Sequence, residues 1–284
     1  MKNFFEYFLL YFFYFLFKIL GLRVSSFIGG VIFYFYGIFS KRNKTVKKNL
    51  YRVFPNLAES ETTRIIKNMW FHFGRVIGEY PNLEKIKILK HLSIENEKNL
   101  IEPLNKYNNC LFFSAHIGNW ELTSHLLTQK GYKINFIYRA PNNKLADKLL
   151  RKIRIGYGVG LIKKGNEGAK QCLKILKMKG GHLGMLIDQK MNDGIETKFF
   201  EKTVKSPSAI AKFALKFKCP IIPAVCFRER ATNFRVSYFK PIDPEKLRSI
   251  GNEKEIMNYL NGYVEKWIRQ YPEQWIWFHN RWSN

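Results

Sequence analysis

Acidic side chains are scarce in this sequence. Against 48 Lys and Arg stand 22 Asp and Glu, for a formal net charge of +26 over 284 residues. A field of that sign draws polyanions: nucleic acid, anionic lipid head groups or an acidic protein. Cysteine is scarce as well. Cys110, Cys172, Cys219 and Cys226 form no Cys-x-x-Cys pair and no metal-ligand spacing, which argues against a zinc module or a redox dithiol. Each sits among apolar neighbours and reads as a small core residue in a reducing compartment. The chain also lacks a Gly-x-Ser-x-Gly elbow, an internal repeat and a low-complexity linker after residue 45. No nucleic-acid-binding module and no aromatic platform interleaved with Lys and Arg is visible, so nucleic acid is the weaker explanation of the charge.

The sequence does hold two apolar runs at its start. Residues 4–20 read FFEYFLLYFFYFLFKIL, and residues 24–39 read VSSFIGGVIFYFYGIF without a charge. Each is marginal for a full span of about 20 residues. Dense Phe and Tyr suit the membrane–water interface, and the first run fits a tilted span, half of a hairpin or an interfacial helix. No small-residue cleavage site follows it, which argues against a cleaved signal. Lys41, Arg42, Lys44, Lys47 and Lys48 come next. By the positive-inside rule this cluster stays cytoplasmic and keeps the rest of the chain there. The expected division is a membrane-attachment segment over 1–44 and a catalytic domain over 45–284.

Beyond residue 45, strands and helices alternate. A helix is predicted over 59–80 with Ser60 as N-cap. Apolar runs predict strands at 110–115, 134–139, 160–162, 183–188, 221–227 and 234–239, the last two paired. Helices are predicted from just after His116 to about 130, from about 143, over 166–179, 206–218 and about 253–270. This is an α/β fold, a sheet with helices on both faces.

The segment Ser114-Ala115-His116-Ile117-Gly118-Asn119-Trp120-Glu121 carries the chemistry. An apolar strand ends at His116, and ligands of α/β sheets bind beyond the carboxyl ends of strands. With His116 in the turn and Glu121 in the first helical turn, the two can meet. Glu121 would accept a hydrogen bond from one ring nitrogen and leave the other as a base. Gly118 permits the tight turn, and Asn119 is the expected N-cap.

His-x4-Glu after an apolar strand resembles the signature of glycerolipid and lipid A acyltransferases, in its Glu-bearing lipid A variant. Further segments resemble the lipid A family in the same order: Asn49-Leu50 with Phe54-Pro55, Tyr138 through Asn143, Arg154, Leu186 through Gln189, Phe199-Phe200 with Pro207 through Ala214, and Pro272-Glu273-Gln274-Trp275-Ile276-Trp277 with His279, Arg281 and Trp282. Glu201 departs from the family's usual Gly, and Ser206-Pro207-Ser208 from its usual Pro-Ala-Thr.

The resemblance implies a mixed sheet flanked by helices, like that of the glycerolipid acyltransferases. It also implies acyl transfer from an acyl carrier protein thioester to a hydroxyl of a lipid A precursor at the inner membrane. His116 would be the base and Glu121 its partner, with no metal, no cofactor and no covalent acyl-enzyme. Cys110 and Ser114 lie inside the apolar run and are not expected to be nucleophiles. Arg139 and Arg154 are the candidates for the acceptor's anionic groups, because a guanidinium fork matches phosphate. Asp188 would orient Arg154 or cap a turn. Arg281 would bind lipid or close the core with Trp277 and Trp282. The expected partners are acyl carrier protein, an anionic glycolipid and membrane lipid. Acylation of another glycolipid, or use of a coenzyme A thioester, is the alternative within the same chemistry.

Overall fold

The computed structural model describes residues 2–86 and 90–282. Its centre is a seven-stranded sheet in the order β1-β9-β8-β2-β5-β3-β4. The strands are β1 (Leu92–Glu95), β2 (Leu111–Ser114), β3 (Ile134–Tyr138), β4 (Val159–Lys163), β5 (His182–Leu186), β8 (Ile221–Arg230) and β9 (Asn233–Tyr238). All neighbours run parallel except β8 and β9, which pair as the sequence predicts and do so antiparallel. β2 is buried at every position, as befits a central strand covered on both faces. A separate hairpin, β6 (Ile195–Phe199) with β7 (Lys202–Ser206), turns through Phe200 and Glu201, both at positive φ.

The alternation of side chains along each strand divides the core in two. Leu111, Phe113, Leu183 and Met185 point to one face. There they meet α8 (Ala209–Phe217), α10 (Glu253–Gln270) and Trp275, Trp277 and Trp282. Cys110, Phe112, Ile134 and Ile222 point to the other face. They meet α4 (Lys98–Lys106) and α5 (His125–Gln129) there. The expected mixed sheet flanked by helices is what the chain builds.

Three local expectations fail. Side chains predicted as caps are committed to longer-range bonds or lie outside the cap position. Ala58, not Ser60, precedes α3 (Glu59–Glu79). Asn119 stands at the start of a 3-10 helix, but its side chain makes no cap hydrogen bond; its amide donates to Glu79 Oε2 at 2.8 Å. After the His116 turn the chain takes a short 3-10 helix, Trp120–Ser124, before α5, where one continuous helix is predicted.

α1 (Lys2–Ile38) is apolar and interrupted at Gly21 (φ 74, ψ 174). By length and composition it could cross a membrane. Residues 22–38 lie along α3 at very close range. A Cβ on Gly29 would strike the carbonyl oxygen of Gly74, and one on Gly74 would strike that of Gly29. Small residues at these two sites set the approach of the helices. The other side of α3 buries Ile65, Ile66, Met69 and Trp70 in the α/β body.

Candidate active site

β5 ends at Leu186, and Ser114 of β2 is its register partner. Two residues further along each strand, His116 and Asp188 therefore meet at the carboxyl edge of the sheet. His116 Nδ1 lies 2.9 Å from Asp188 Oδ1, and the His116 backbone N–H donates to Oδ2 at 3.0 Å. Trp275 Nε1 donates to the same Oδ2 at 2.8 Å. Burial pushes the Asp188 carboxyl up, but His116 and these hydrogen bonds outweigh it and hold the group down at about 2. An ionised carboxylate only accepts. Nδ1 must therefore carry a proton, and in the neutral imidazole Nε2 keeps its lone pair.

Gly118 closes the turn with φ +58, where an added Cβ would run into the carbonyl oxygen of Cys226. Its N–H donates to Gln274 O at 3.1 Å, and Ile117 bridges Trp275. The turn is thus clamped from the C-terminal block. That block is held in its turn by Asn49, whose side-chain amide donates to the carbonyl oxygens of Trp277 and His279.

Glu121 has other partners. Arg154 grips it with two prongs, Nε to Oε2 at 2.9 Å and Nη2 to Oε1 at 2.5 Å. Tyr80 and Trp120 donate to Oε1 at 2.8 and 3.0 Å, and Tyr157 donates to Oε2 at 2.6 Å. Burial would raise this carboxyl. The Arg154 charge and the hydrogen bonds prevail and keep it at about 2. Among the described residues no hydrogen bond joins Glu121 to His116. Their expected partnership is replaced by a His116–Asp188 pair, and the expected link from Asp188 to Arg154 by Glu121–Arg154. The reason is topological: β2 and β5 are neighbours, while the 3-10 turn points the Glu121 carboxylate toward α6 (Lys144–Gly156).

His116, Glu121 and Arg154 border one cavity of about 480 Å³. Its walls are largely apolar, with Phe136, Leu150, Val159, Met185 and Ile210 among them. Arg139, Lys164 and Lys190 bring positive charge to its lining, and Arg139 is exposed. Gln189 Nε2 stands 3.5 Å from His116 Nε2. His279 Nε2 accepts the Lys190 backbone N–H at 3.0 Å.

Arg281 is elsewhere. It is fully buried, with Nη1 on the Lys205 carbonyl and Nη2 on Ser206 Oγ, and its guanidinium lies over the Phe199 ring. The position contradicts a substrate-binding role and fits the core-closing alternative. Cys110 and Ser114 are buried in and beside β2. Burial pushes the Cys110 thiol up to about 12, which leaves it inert at neutral pH. Among the described residues no cluster of three or more His, Cys, Asp or Glu could hold a metal ion. Sequence reasoning missed Tyr80 and Tyr157, which hold Glu121, and the specific task of Trp275. Trp275 at least lay in a block already singled out.

A buried carboxylate fixes an imidazole beside an apolar cavity at the carboxyl edge of a mostly parallel sheet, the place where α/β folds bind their ligands. The family is that of the bacterial lipid A biosynthesis acyltransferases: its sequence profile matches residues 2–284, and the chain belongs to it. It is therefore an acyltransferase of lipid A, and hence lipopolysaccharide, biosynthesis, with a lipid A-type glycolipid as acceptor. No curated protein sequence matches significantly.

Proposed function

We propose that this enzyme moves a fatty acyl chain from an acyl carrier protein thioester to a hydroxyl of a lipid A precursor, at the cytoplasmic side of the inner membrane. The observation that carries the mechanism is the His116–Asp188 pair, which leaves Nε2 on the side of the 480 Å³ cavity. The acceptor hydroxyl gives its proton to Nε2 as its oxygen attacks the thioester carbonyl carbon. The carbon–sulfur bond breaks, and the departing thiolate takes the proton back from His116. The products are an ester and a free thiol. Asp188 stabilises the imidazolium formed between the two transfers. No covalent enzyme intermediate, metal or cofactor enters this scheme.

Glu121 and Arg154 build the wall of the site. Two of the Arg154 nitrogens already bind Glu121, so recognition of the acceptor's phosphates falls mainly to Arg139, Lys164 and Lys190. The net charge of +26 suits an acidic carrier protein and anionic lipid alike.

Purified enzyme given acyl carrier protein thioester and a lipid A precursor should yield an acceptor heavier by one acyl group, read by mass spectrometry. Lipid A from a deletion strain should lack that chain. Transfer from coenzyme A thioester alone would overturn the donor assignment, and unchanged lipid A in the deletion strain would overturn the acceptor.

A further inference from the structure

We propose that residues 22–39 form a flat seat that lies in the plane of an anionic bilayer surface, parallel to it, and do not cross the membrane. This rests on the membrane attachment proposed above and not on the acyl-transfer chemistry.

Three layers carry the inference. Residues 22–38 pack along α3, with Ser25 against Gly78, Gly29 against Gly74 and Gly37 against Trp70. α3 packs in turn on the α/β body through Ile65, Ile66, Met69 and Trp70. The segment is therefore fixed along its whole length to a body that carries charge. At roughly 1.5 Å per residue it is about 25 Å long, close to the thickness of a hydrocarbon core. To cross, it would have to draw α3 into the core with it. α3 bears exposed Arg64 and Lys67, and its Glu79 is buried in an ion pair with Arg228 of the body. Sheet and loops of the body would follow, which hydrocarbon does not tolerate.

The outer face is what an in-plane helix needs. Val24, Phe27, Ile32 and Phe35 are 46, 59, 40 and 58% exposed, and their spacing puts them on one side of the helix; Phe39, in the turn just after it, is 85% exposed. Exposed Lys41, Arg42 and Lys44 follow directly, so an apolar stripe ends in a cationic cluster, the pairing that binds an anionic lipid surface. The chain bends at Gly21, just before the seat begins. Before the bend, Phe17 and Lys18 are still held to the body, through Asn82 on the Phe17 carbonyl and Glu84 on Lys18, while residues 7–16 have no buried side chain and can enter the bilayer.

The seat also touches the chemistry. Ser26 Oγ donates to Glu79 Oε1 at 2.6 Å, and Glu79 Oε2 accepts from Asn119 in the turn that carries His116. The inner side of the seat is thus two hydrogen bonds from the turn that carries His116.

The test uses the full chain with single cysteines at Phe27, Ile32, Phe35 and Phe39, each carrying a nitroxide label. The native cysteines are buried and stay unlabelled. On vesicles of phosphatidylglycerol and phosphatidylcholine, all four labels should report one shallow depth near the headgroup–acyl boundary. Phe27→Asp with Phe35→Asp should lower partitioning on the order of tenfold or more for each exchange, with an unchanged circular dichroism spectrum. A depth that rises toward the bilayer centre and falls again along the series would overturn the in-plane seat alone. Binding to neither these vesicles nor phosphatidylcholine alone would overturn the seat together with the membrane attachment. Labels immobilised against a second copy in lipid-free solution would assign the face to self-association and overturn the proposal. Acyl transfer is measured separately, and its absence would leave the depth result standing.

Discussion

His116 and Asp188 are 72 positions apart and touch because β2 and β5 are neighbours in register. The carboxylate makes the imidazole a one-sided base, so Asp188→Asn should cost roughly 10²–10⁴-fold in kcat with little change in KM. His116→Ala should cost a similar factor. The double variant should be hardly worse than either, because the two act as a unit. Wild-type kcat in Asp188→Asn would assign that residue to the fold alone. The sequence marked both residues at strand ends and on one rim, since an apolar run that stops at a polar residue is a local signal. It could not show that they bond, because nothing local says which strands lie side by side. Glu121 was misread for a related reason. Five positions separate it from His116, and only the 3-10 geometry of Trp120–Ser124 decides which way it points. Arg281 looked like a ligand arginine because its aromatic neighbours fit either role, and the bond to Ser206 in β7 is invisible along the chain.

At the scale of elements, Glu121 and Arg154 tie the 3-10 turn to α6. Breaking one half of a buried ion pair strands the other charge, at about 3–5 kcal/mol. Glu121→Ala should therefore lower thermal stability markedly, and Glu121→Ala with Arg154→Ala should be less destabilising than the sum of the single changes. Additive losses in calorimetry would mean that the pair is not coupled. Acid titration should show the same device. Glu121 and Asp188 are held at about 2, below the ordinary 4.5 and 3.8. Their contribution is present above those ordinary values and is lost as pH falls from about 4.5 toward 2. Glu121→Gln should flatten the loss of stability in that window, and an equally steep loss in the variant would locate it elsewhere. Strands β2 to β5, β8 and β9 were legible because their runs are apolar and sharply bounded; β1 was not, because only Leu92 of its four residues is buried. The β6–β7 hairpin was not, because residues such as Glu196, Lys198, Lys202 and Lys205 give it the look of a polar loop. Its inward Thr197, Phe199, Val204 and Ser206 are buried only because α10 and Trp282 cover them.

At the scale of the whole molecule, a positive charge excess should make lipid binding salt-sensitive. Changing Lys41, Arg42 and Lys44 to Gln should remove about 1 kcal/mol each, roughly a fivefold drop in partitioning to phosphatidylglycerol vesicles per residue. Raised salt should mimic the change, and partitioning indifferent to both would leave the apolar face as the sole anchor. Cysteine has a part at this scale too. Cys110, Cys172, Cys219 and Cys226 are all buried, with thiols pushed up by burial to about 12, 11, 11 and 12. The native protein should show no fast reaction with a thiol reagent, and full reaction in denaturant; a rapidly modified thiol in the native state would contradict that burial. Cys110 leads into β2, Cys226 lies within β8 and Cys172 sits on α7 (Asn166–Leu176). The rate at which each becomes modified is then a clock for the opening of the element around it. The chain carries its own gauge of how often, and where first, the sheet that aligns His116 with Asp188 comes apart.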